Sequence, residues 1–250
     1  MKPATSELVA TLPPELFGSG YPYLDIRNTA YLAALWEEPV TYVVQFAQAL
    51  DSVTAGYFLS CYIERYRPDE WVSLNEDIVR QETGLGRGRW YKVRDTLLNA
   101  GILTNERDIG VSMYRLNGDK LESLLRQHAD LSLCAIAAAP VSLNRLHLKT
   151  LLHHDLSFKA CLLLAAVQAD TPHTALADRQ AYSPWVPLPE QVVTERTFLS
   201  RTEQRRAAED LRNIGVLETK YDGFPRIRHC RYSLQRLAEL SDSYMQSLTV

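Results

Sequence analysis

Basic side chains recur at matched places in two distant stretches of the chain. Arg87 and Lys92 lie in the first stretch, and Arg201, Arg205 and Arg206 lie in the second. A guanidinium group forms paired hydrogen bonds with phosphate oxygens or with the major-groove edge of guanine, and an ammonium group binds phosphate as a point charge. These residue types therefore favour binding of a nucleic acid.

No arrangement of residues in the sequence predicts an active site or a metal centre. His153, His154 and Asp155 are adjacent, but neighbours on a helix point about 100° apart and no third ligand is spaced nearby. The glycines of residues 84–88 follow one expected helix and open another, which indicates a turn rather than a phosphate-binding loop. The thirteen tyrosines lack the accompanying His cluster or Arg-His-Arg set of a nicking enzyme or recombinase. We expect no enzymatic activity, no catalytic residue, no metal and no cofactor.

The elements that must position the basic residues occur twice, because residues 71–103 and 185–217 align without a gap. The identical positions, numbered in the first copy, are Trp71, Val72, Leu74, Glu76, Val79, Thr83, Leu85, Arg87, Leu97, Asn99, Gly101 and Leu103. So many ungapped identities indicate an internal duplication. Each copy predicts a short Trp-Val-x-Leu segment, a helix, a turn at Thr-x-Leu-x-Arg, a longer helix and a strand.

The longer helix carries signals for its ends and for its buried face. Ser200 and Glu203 have the spacing of a capping box, and Gly101 and Gly215 stand where the two helices must stop. The apolar stripe of the two copies consists of Val93, Leu97, Ala100, Ala207, Leu211 and Ile214. The opposite face is small or polar and is basic near its N-terminal end, as a helix inserted into the major groove requires.

One position breaks the match between the two apolar stripes. Trp90 is expected to join the buried stripe of the first copy. Its counterpart Gln204 is polar and is therefore expected to lie at the edge of the stripe in the second copy.

After the longer helix, each copy continues into two strand-like runs around a turn. The runs cover Ile102–Leu116 and Val216–Leu234, and each is expected to form a β-hairpin. With the pattern of Glu82–Asn117, both copies resemble the winged helix-turn-helix domains of regulators and replication proteins of phages, plasmids and integrative elements. The resemblance covers residues 50–126 and 156–240. It implies a mostly α fold with small β-hairpins (α+β), built as two tandem winged helix-turn-helix domains, and double-stranded DNA as the ligand.

The duplication and the resemblance together predict the domain organisation. The expected parts are an N-terminal arm (1–38), a first winged-helix domain (39–126), an apolar connector (127–141), a second winged-helix domain (142–240) and a C-terminal tail (241–250). Pro39–Leu50 predicts a helix with proline in its first turn, and Ser142–His154 predicts its counterpart. Asp51 or Ser52 is expected to cap the following helix. The polar segment Thr171–Pro184 is an insertion that is either tolerated or contacts DNA or a partner.

The resemblance implies three groups of DNA contacts. The residues expected to enter the major groove are Gly88, Tyr91, Lys92, Arg201, Thr202, Arg205 and Arg206. The residues expected to hold phosphates are Arg87, Arg89 and Arg212. The hairpin residues expected to lie along the backbone or in the minor groove are Lys220, Arg226 and Arg228. The alternative is a solvated face on which Arg205 pairs with Glu209 and Lys92 pairs with Asp95.

Charge is unevenly distributed along the chain, whose net charge is −3. Residues 1–70 contain four basic and nine acidic residues, whereas residues 196–250 contain ten basic and seven acidic residues. The second domain is therefore expected to make the stronger DNA contact, and its surface is expected to bind in a salt-dependent way. The acidic N-terminal third would suit a protein partner.

Composition predicts a soluble globular chain of 250 residues with 46% hydrophobic and 23% charged residues. No apolar run approaches the roughly 20 residues that span a membrane, and the N-terminus lacks the pattern of a signal peptide. We expect a cytoplasmic protein without membrane contact. The cysteines expected to be reduced core residues are Cys61, Cys134, Cys161 and Cys230.

The preferred hypothesis is a sequence-specific double-stranded DNA-binding protein that regulates transcription in a mobile genetic element and reads a direct or inverted repeat. One alternative is a plasmid or phage replication initiation or maintenance factor. The other is a tandem winged-helix subunit that binds protein in a larger assembly, such as a chromosome-organising complex. The apolar connector and the aromatic N-terminal arm favour a homodimer.

Overall fold

The computed structural model describes residues 39–108, 111–128, 141–172 and 181–248. Over these residues the protein is an α+β fold in which helices predominate and the sheets are small and antiparallel, as the sequence indicated. The expected N-terminal arm, Cys134, most of the expected connector and residues 173–180 of the polar insertion lie outside the described residues.

The described elements fall into two units with the same order. The first unit, residues 39–128, contains β1 (Val40–Tyr42), α1 (Val44–Leu50), α2 (Val53–Arg65), β2 (Val72–Ser73), α3 (Glu76–Thr83), α4 (Arg87–Asn99), β3 (Leu103–Asp108), β4 (Val111–Leu116) and α5 (Gly118–His128). The second unit, residues 141–248, contains β5 (Val141–Leu143), α6 (Arg145–His153), α7 (Phe158–Ala169), β6 (Val186–Pro187), α8 (Glu190–Thr197), α9 (Arg201–Asn213), β7 (Leu217–Asp222), β8 (Ile227–Tyr232) and α10 (Leu234–Ser247). In each unit a hairpin and one short strand form a three-stranded sheet, ordered β2-β4-β3 and β6-β8-β7.

Matching side-chain caps begin the second helix of each unit. Ser52 Oγ accepts a hydrogen bond from the Ala55 amide, and Ser157 Oγ accepts one from the Ala160 amide. Such caps satisfy amides that have no partner inside the helix. Asp51, the other expected cap, ends α1 in a left-handed conformation with φ of 47°.

Three sequence predictions about element boundaries differ from the structure. Pro39–Leu50 and Ser142–His154 are not continuous helices, because β1 and β5 occupy their first residues and the helices begin only at Val44 and Arg145. These strands pair with each other, so the β-branched and aromatic residues at their start are extended by a partner that is distant in sequence. The expected tail also does not begin at residue 241, since α10 continues to Ser247 and buries Met245.

The strand pair joins the two units with approximate two-fold symmetry. β1 and β5 are antiparallel, and Thr41 pairs with Ser142 at the centre of the register. Each unit also donates a hydrogen bond to the other. The Tyr42 hydroxyl donates to the Thr197 carbonyl in α8 at 3.1 Å, and Arg145 of α6 donates to the Glu82 carbonyl in α3 at 2.8 Å. The hydrophobic core is therefore continuous across both units.

Buried thiols also belong to this core. Cys61, Cys161 and Cys230 are buried and free. Burial raises the pKa of Cys61 and Cys161 to about 12 and that of Cys230 to about 11. These three cysteines are therefore protonated core residues, as expected. In the described ranges, no helix combines the length and the apolar character that crossing a membrane needs.

Helices α1 and α2 touch at Gly56, and we predict that Gly56→Ala destabilises the protein. A Cβ atom at Gly56 would lie 2.5 Å from the Ala47 nitrogen and 2.8 Å from the Ala47 Cα, so the two helices must move apart. We expect the free energy of unfolding to fall by about 1 to 3 kcal/mol despite the better helix propensity of alanine. Gly88→Ala is the matched control, because no atom lies within 4 Å of its Cβ position. Urea denaturation that ranks the two variants equally would contradict the prediction.

His147 of α6 should make stability depend on pH. Burial lowers the pKa of His147 to about 4, although the hydrogen bond between its Nδ1 and Gln168 opposes this shift. The unfolded chain therefore takes up a proton near the ordinary pKa of 6.5, before the folded chain does. We expect stability to be complete above pH 6.5 and to fall by about 1 to 3 kcal/mol as the pH drops to 4.

The control for this prediction is His147→Gln, which cannot titrate. The difference between the wild-type and variant free energies of unfolding, measured by urea denaturation from pH 4 to pH 7, removes the contribution of the carboxylates. A difference that stays constant over this range would contradict the assignment to His147.

Candidate nucleic-acid interface

The start of α4 and the start of α9 are built by the same turn. Gly84 and Phe198 end the preceding helices in the left-handed conformation, with φ of 71° and 62°. Beside them, Thr83 Oγ1 donates to the Val79 carbonyl and accepts from the Leu85 amide. Thr197 makes the equivalent two hydrogen bonds in the second unit. The turns that join α3 to α4 and α8 to α9 therefore share the same backbone conformation and hydrogen-bond pattern.

The capping box expected at the start of α9 is present. Ser200 Oγ accepts from the Glu203 amide, and a Glu203 carboxylate oxygen accepts from the Ser200 amide at 2.8 Å. Lys159 of α7 also donates to Glu203. Burial acts to raise the pKa of Glu203, but the hydrogen bonds from Lys159 and Ser200 outweigh it and leave the pKa lowered. The N-terminal end of α9 is therefore fixed to α7 by an ionised carboxylate.

The buried face of α4 agrees with the sequence prediction. Trp90, Val93 and Leu97 are buried. The Trp90 ring contacts the Phe58 ring at a centroid distance of 5.0 Å and the edge of the Tyr114 ring at 5.8 Å. This aromatic cluster holds α4 against α2 and the hairpin, which leaves the opposite face of α4 to solvent.

Two predictions for the second unit, Gln204 at the edge and Arg228 on DNA, are wrong. Gln204 is fully buried, and its Nε2 lies 3.0 Å from the Glu190 carbonyl and 2.9 Å from Thr194 Oγ1. Arg228 is only 4% exposed and donates to Gln204 Oε1 at 3.0 Å and to the Leu188 carbonyl at 3.1 Å. Gln204 takes the place of Trp90, and the guanidinium group joins it because a buried amide needs partners. Arg228 is therefore buried and paired inside the second unit, and not exposed on the hairpin as the sequence predicted.

The expected phosphate and groove residues at the helix starts are exposed. The side chains of Arg87 and Arg201 are 72% and 78% exposed, and each makes the same ion pair in its own unit. Arg87 Nε lies 3.2 Å from Glu76, and Arg201 Nε lies 3.3 Å from Glu190. Exposed pairs of this kind contribute little to stability, so both guanidinium groups are available to another anion.

The other groove residues of α9 are exposed too. Thr202, Arg205 and Arg206 face solvent, as does the expected phosphate residue Arg212. Arg205 Nε lies 3.9 Å from Glu190, so its nearest carboxylate is not the Glu209 that a surface pair on α9 would use. The N-terminal half of α9 therefore presents a cluster of guanidinium groups, which we call the α9 basic face: Arg201, Arg205 and Arg206.

The N-terminal half of α4 carries three cations, Arg87, Arg89 and Lys92, around an open stretch of backbone. A shallow depression of about 330 Å³ is lined by Gly86, Arg87, Gly88, Arg89 and Lys92. Arg89 and Lys92 are exposed, although Arg89 also reaches the Leu156 carbonyl of the second unit at 3.5 Å. Gly88 has open space around its Cβ position, so another molecule can approach the backbone of α4 there.

Tyr91 is less exposed than the prediction that it enters the major groove requires. It is half-buried, and its hydroxyl donates to Glu76. The guanidinium carbons of Arg87 and Arg94 lie 5.5 and 4.7 Å from the centre of its ring. Tyr91 therefore positions two arginines by cation–π contact. The sequence analysis missed Arg94, although its spacing of three residues from Tyr91 on a helix could have identified it.

In the second hairpin, two cationic side chains lie over the Trp185 ring. Lys220 Nζ lies 4.9 Å from the centre of the Trp185 ring, and Arg231 lies over the same ring at 4.7 Å. Arg226 is exposed at the tip of the hairpin. The sequence analysis also missed Phe224, which is fully exposed beside Arg226. A search for clustered basic residues does not identify an apolar residue in a turn.

The adjacent histidines contact the C-terminal helix. The ring of His153 lies 5.3 Å from the Tyr244 ring, and His154 Nε2 lies 3.4 Å from the Leu240 carbonyl. Within the part of the chain that the structure describes, no group of three His, Cys, Asp or Glu side chains could hold a metal ion. The structure thus places both rings in the packing of α6 against α10.

In comparisons with known proteins, no family model, no curated protein and no solved structure matches this chain.

Proposed function

We propose that the protein binds double-stranded DNA in a sequence-specific manner through two winged helix-turn-helix units that arose by duplication. The observation that carries the proposal is that α4 and α9 both turn a buried face to the core and an exposed, basic N-terminal half to solvent. A helix of this kind fits the major groove of B-DNA, which is about 12 Å wide. Each helix is followed by a hairpin, as the winged arrangement requires.

The two helices are proposed to differ in how they bind. The α9 basic face supplies three guanidinium groups, each able to contact guanine or phosphate through paired hydrogen bonds. Helix α4 supplies Arg87, Arg89 and Lys92 around the open backbone at Gly88. Because the second hairpin adds the exposed cations Lys220 and Arg226, we assign most of the binding energy to the second unit and a shape-dependent contact to the first.

The two-fold strand pair supports an inverted arrangement of the DNA half-sites. β1 and β5 are related by approximate two-fold rotation, so the helices that their units carry point in opposite senses along a duplex. In two-fold proteins this symmetry matches half-sites spaced about 34 to 36 Å apart, one helical turn. Because α4 and α9 have different sequences, the two half-sites are proposed to differ as well.

The test is selection of duplexes from a random pool by the purified full-length protein, followed by fluorescence anisotropy across a salt series. We expect one consensus with two dissimilar blocks whose centres lie about one helical turn apart. We also expect a steep fall in affinity with salt, because bound phosphates release counterions. A single block would contradict the two-unit arrangement. Failure to enrich any sequence, with no binding above the nonspecific level at low salt, would overturn the DNA-binding function and favour a protein-interaction subunit.

We further propose that binding regulates transcription in a mobile genetic element. The test compares duplex from the region upstream of the protein's own gene with unrelated duplex of equal length and composition. Preferential binding upstream, together with a change in output of a reporter joined to that region, is expected. Selective binding without any change of reporter output would contradict the regulatory role and leave the DNA-binding function intact.

A further inference from the structure

The tip of the second hairpin exposes apolar side chains. Phe224 is fully exposed, and its neighbours Tyr221 and Ile227 are exposed as well. An aromatic side chain held in water at the end of a hairpin is unfavourable for a protein alone, because burial of apolar surface is favourable. These three residues, which we call the apolar tip, therefore fit a surface that removes them from water.

The charges around the apolar tip identify the chemistry of that surface. Lys220 and Arg226 are exposed on either side of it. Asp222, the acidic residue nearest the turn, accepts a hydrogen bond from the Gly223 amide and lies 3.6 Å from Lys220 Nζ. Asp222 and Lys220 therefore offset each other in part, and the tip as a whole presents an apolar wedge with a net positive charge. Phosphate groups on both sides of a hydrophobic slot complement this pattern.

The length of the hairpin places the tip within reach of a second groove. Strands β7 and β8 have six residues each, and six residues of strand extend about 20 Å. A major groove and the adjacent minor groove are separated by about half of the 34 Å helical repeat, or roughly 17 Å. The hairpin is therefore long enough for its tip to span the distance from a major groove that holds α9 to the neighbouring minor groove.

The turn of the second hairpin lies beyond the ends of its paired strands. In the second unit, Asp222 pairs with Ile227, and four residues from Gly223 to Arg226 close it. This four-residue turn carries Phe224 beyond the ends of the paired strands.

We propose that Phe224 is a wedge that enters the minor groove of duplex DNA, partly unstacks one base step and bends the duplex. Apolar side chains of minor-groove proteins act in this way, and insertion of one side chain kinks DNA by about 20° to 90°. Lys220, held against the Trp185 ring, and Arg226 contact the phosphates that flank the step. The inference rests on the proposed function, because α9 must already place the hairpin on DNA.

The experiment uses the full chain and the duplex that it selects from a random pool. One series of duplexes carries 2-aminopurine at successive positions through the selected sequence and its flanks, and another carries a donor and an acceptor dye at the two ends. The variants are Phe224→Ala and Phe224→Leu, with Val111→Ala as the control because Val111 is an exposed apolar residue of the first hairpin. Unfolding temperatures verify that all three variants are folded.

We expect the wild-type protein to raise 2-aminopurine fluorescence at one step and to bring the duplex ends closer. Phe224→Ala should lose both signals and bind about tenfold more weakly, whereas Phe224→Leu should retain most of each because leucine also acts as a wedge. Val111→Ala should change affinity less than twofold. Specific binding by the wild type with no fluorescence rise and no change in end-to-end distance would overturn the wedge while leaving the function intact. So would a Phe224→Ala variant that keeps both signals. Absence of specific binding by the wild type would overturn the function itself, and the wedge with it.

Discussion

Replacing Arg205 and Arg206 together by alanine is expected to weaken binding to the selected duplex by about 2 to 6 kcal/mol, from about 1 to 3 kcal/mol for each good base contact. Both side chains are exposed on the N-terminal half of α9, and neither supports the core. The loss should therefore appear in affinity and not in the unfolding temperature. Fluorescence anisotropy of the selected duplex, measured across a salt series, gives the affinity and the number of released counterions.

The matched control removes the same two charges elsewhere. Arg67 and Arg126 are exposed outside α4, α9 and the hairpins, so Arg67→Ala with Arg126→Ala should change affinity by less than about 0.5 kcal/mol, as for long-range charges screened by salt. If the two double variants lose the same affinity, binding depends on net charge alone and the α9 basic face has no particular role. A loss confined to the selected sequence, with nonspecific affinity unchanged, identifies base contacts. An equal loss on all sequences identifies phosphate contacts.

The pair Gln204 and Arg228 should be strongly coupled in stability. Gln204→Leu alone leaves the buried Arg228 guanidinium without the Gln204 acceptor, and Arg228→Met alone leaves Gln204 Oε1 without the Arg228 donor. Each change should cost about 1 to 3 kcal/mol, because an unsatisfied buried polar group loses its hydration without compensation. The double variant should cost less than the sum by at least about 1 kcal/mol, since replacing both partners by apolar groups is nearly neutral.

Urea denaturation of the four proteins measures this coupling, and DNA affinity provides the second readout. Arg228→Met should bind the selected duplex as tightly as the wild type once its folded fraction is taken into account. Additive losses of stability would contradict the buried pair. A large loss of affinity in a folded Arg228→Met protein would show that Arg228 leaves the core to contact DNA.

Much of each unit could be predicted because the information is local in sequence. Several features can be recognised within a few residues of the sequence. They are the helical periodicity of apolar residues on α4 and α9, the cap at Ser200 and the glycines that end both helices. These features depend on backbone hydrogen bonding and on the helical repeat, which operate over short distances. The exposure of Arg87 and Arg201 follows from the same periodicity.

The sequence could not predict features that depend on distant partners. The strand β1 is extended because β5 pairs with it, although its residues alone fit the first turn of a helix. Arg228 is charged and lies in a hairpin, which favours an exposed position. It is buried because it donates a hydrogen bond to the buried Gln204. Tyr91 likewise depends on Glu76, fifteen residues earlier. In each case the partner decides between two local patterns that fit equally well.

The paired strands β1 and β5 have a consequence for the direction of the bound complex. A symmetric homodimer on a palindrome looks the same from the left and from the right, so it cannot distinguish the gene on one side from the gene on the other. Here both halves are in one chain, joined by antiparallel strands centred on Thr41 and Ser142, and α4 and α9 present different side chains. The proposed complex would therefore be asymmetric about the centre of its DNA site. Such polarity lets a two-fold scaffold act on one neighbour and ignore the other.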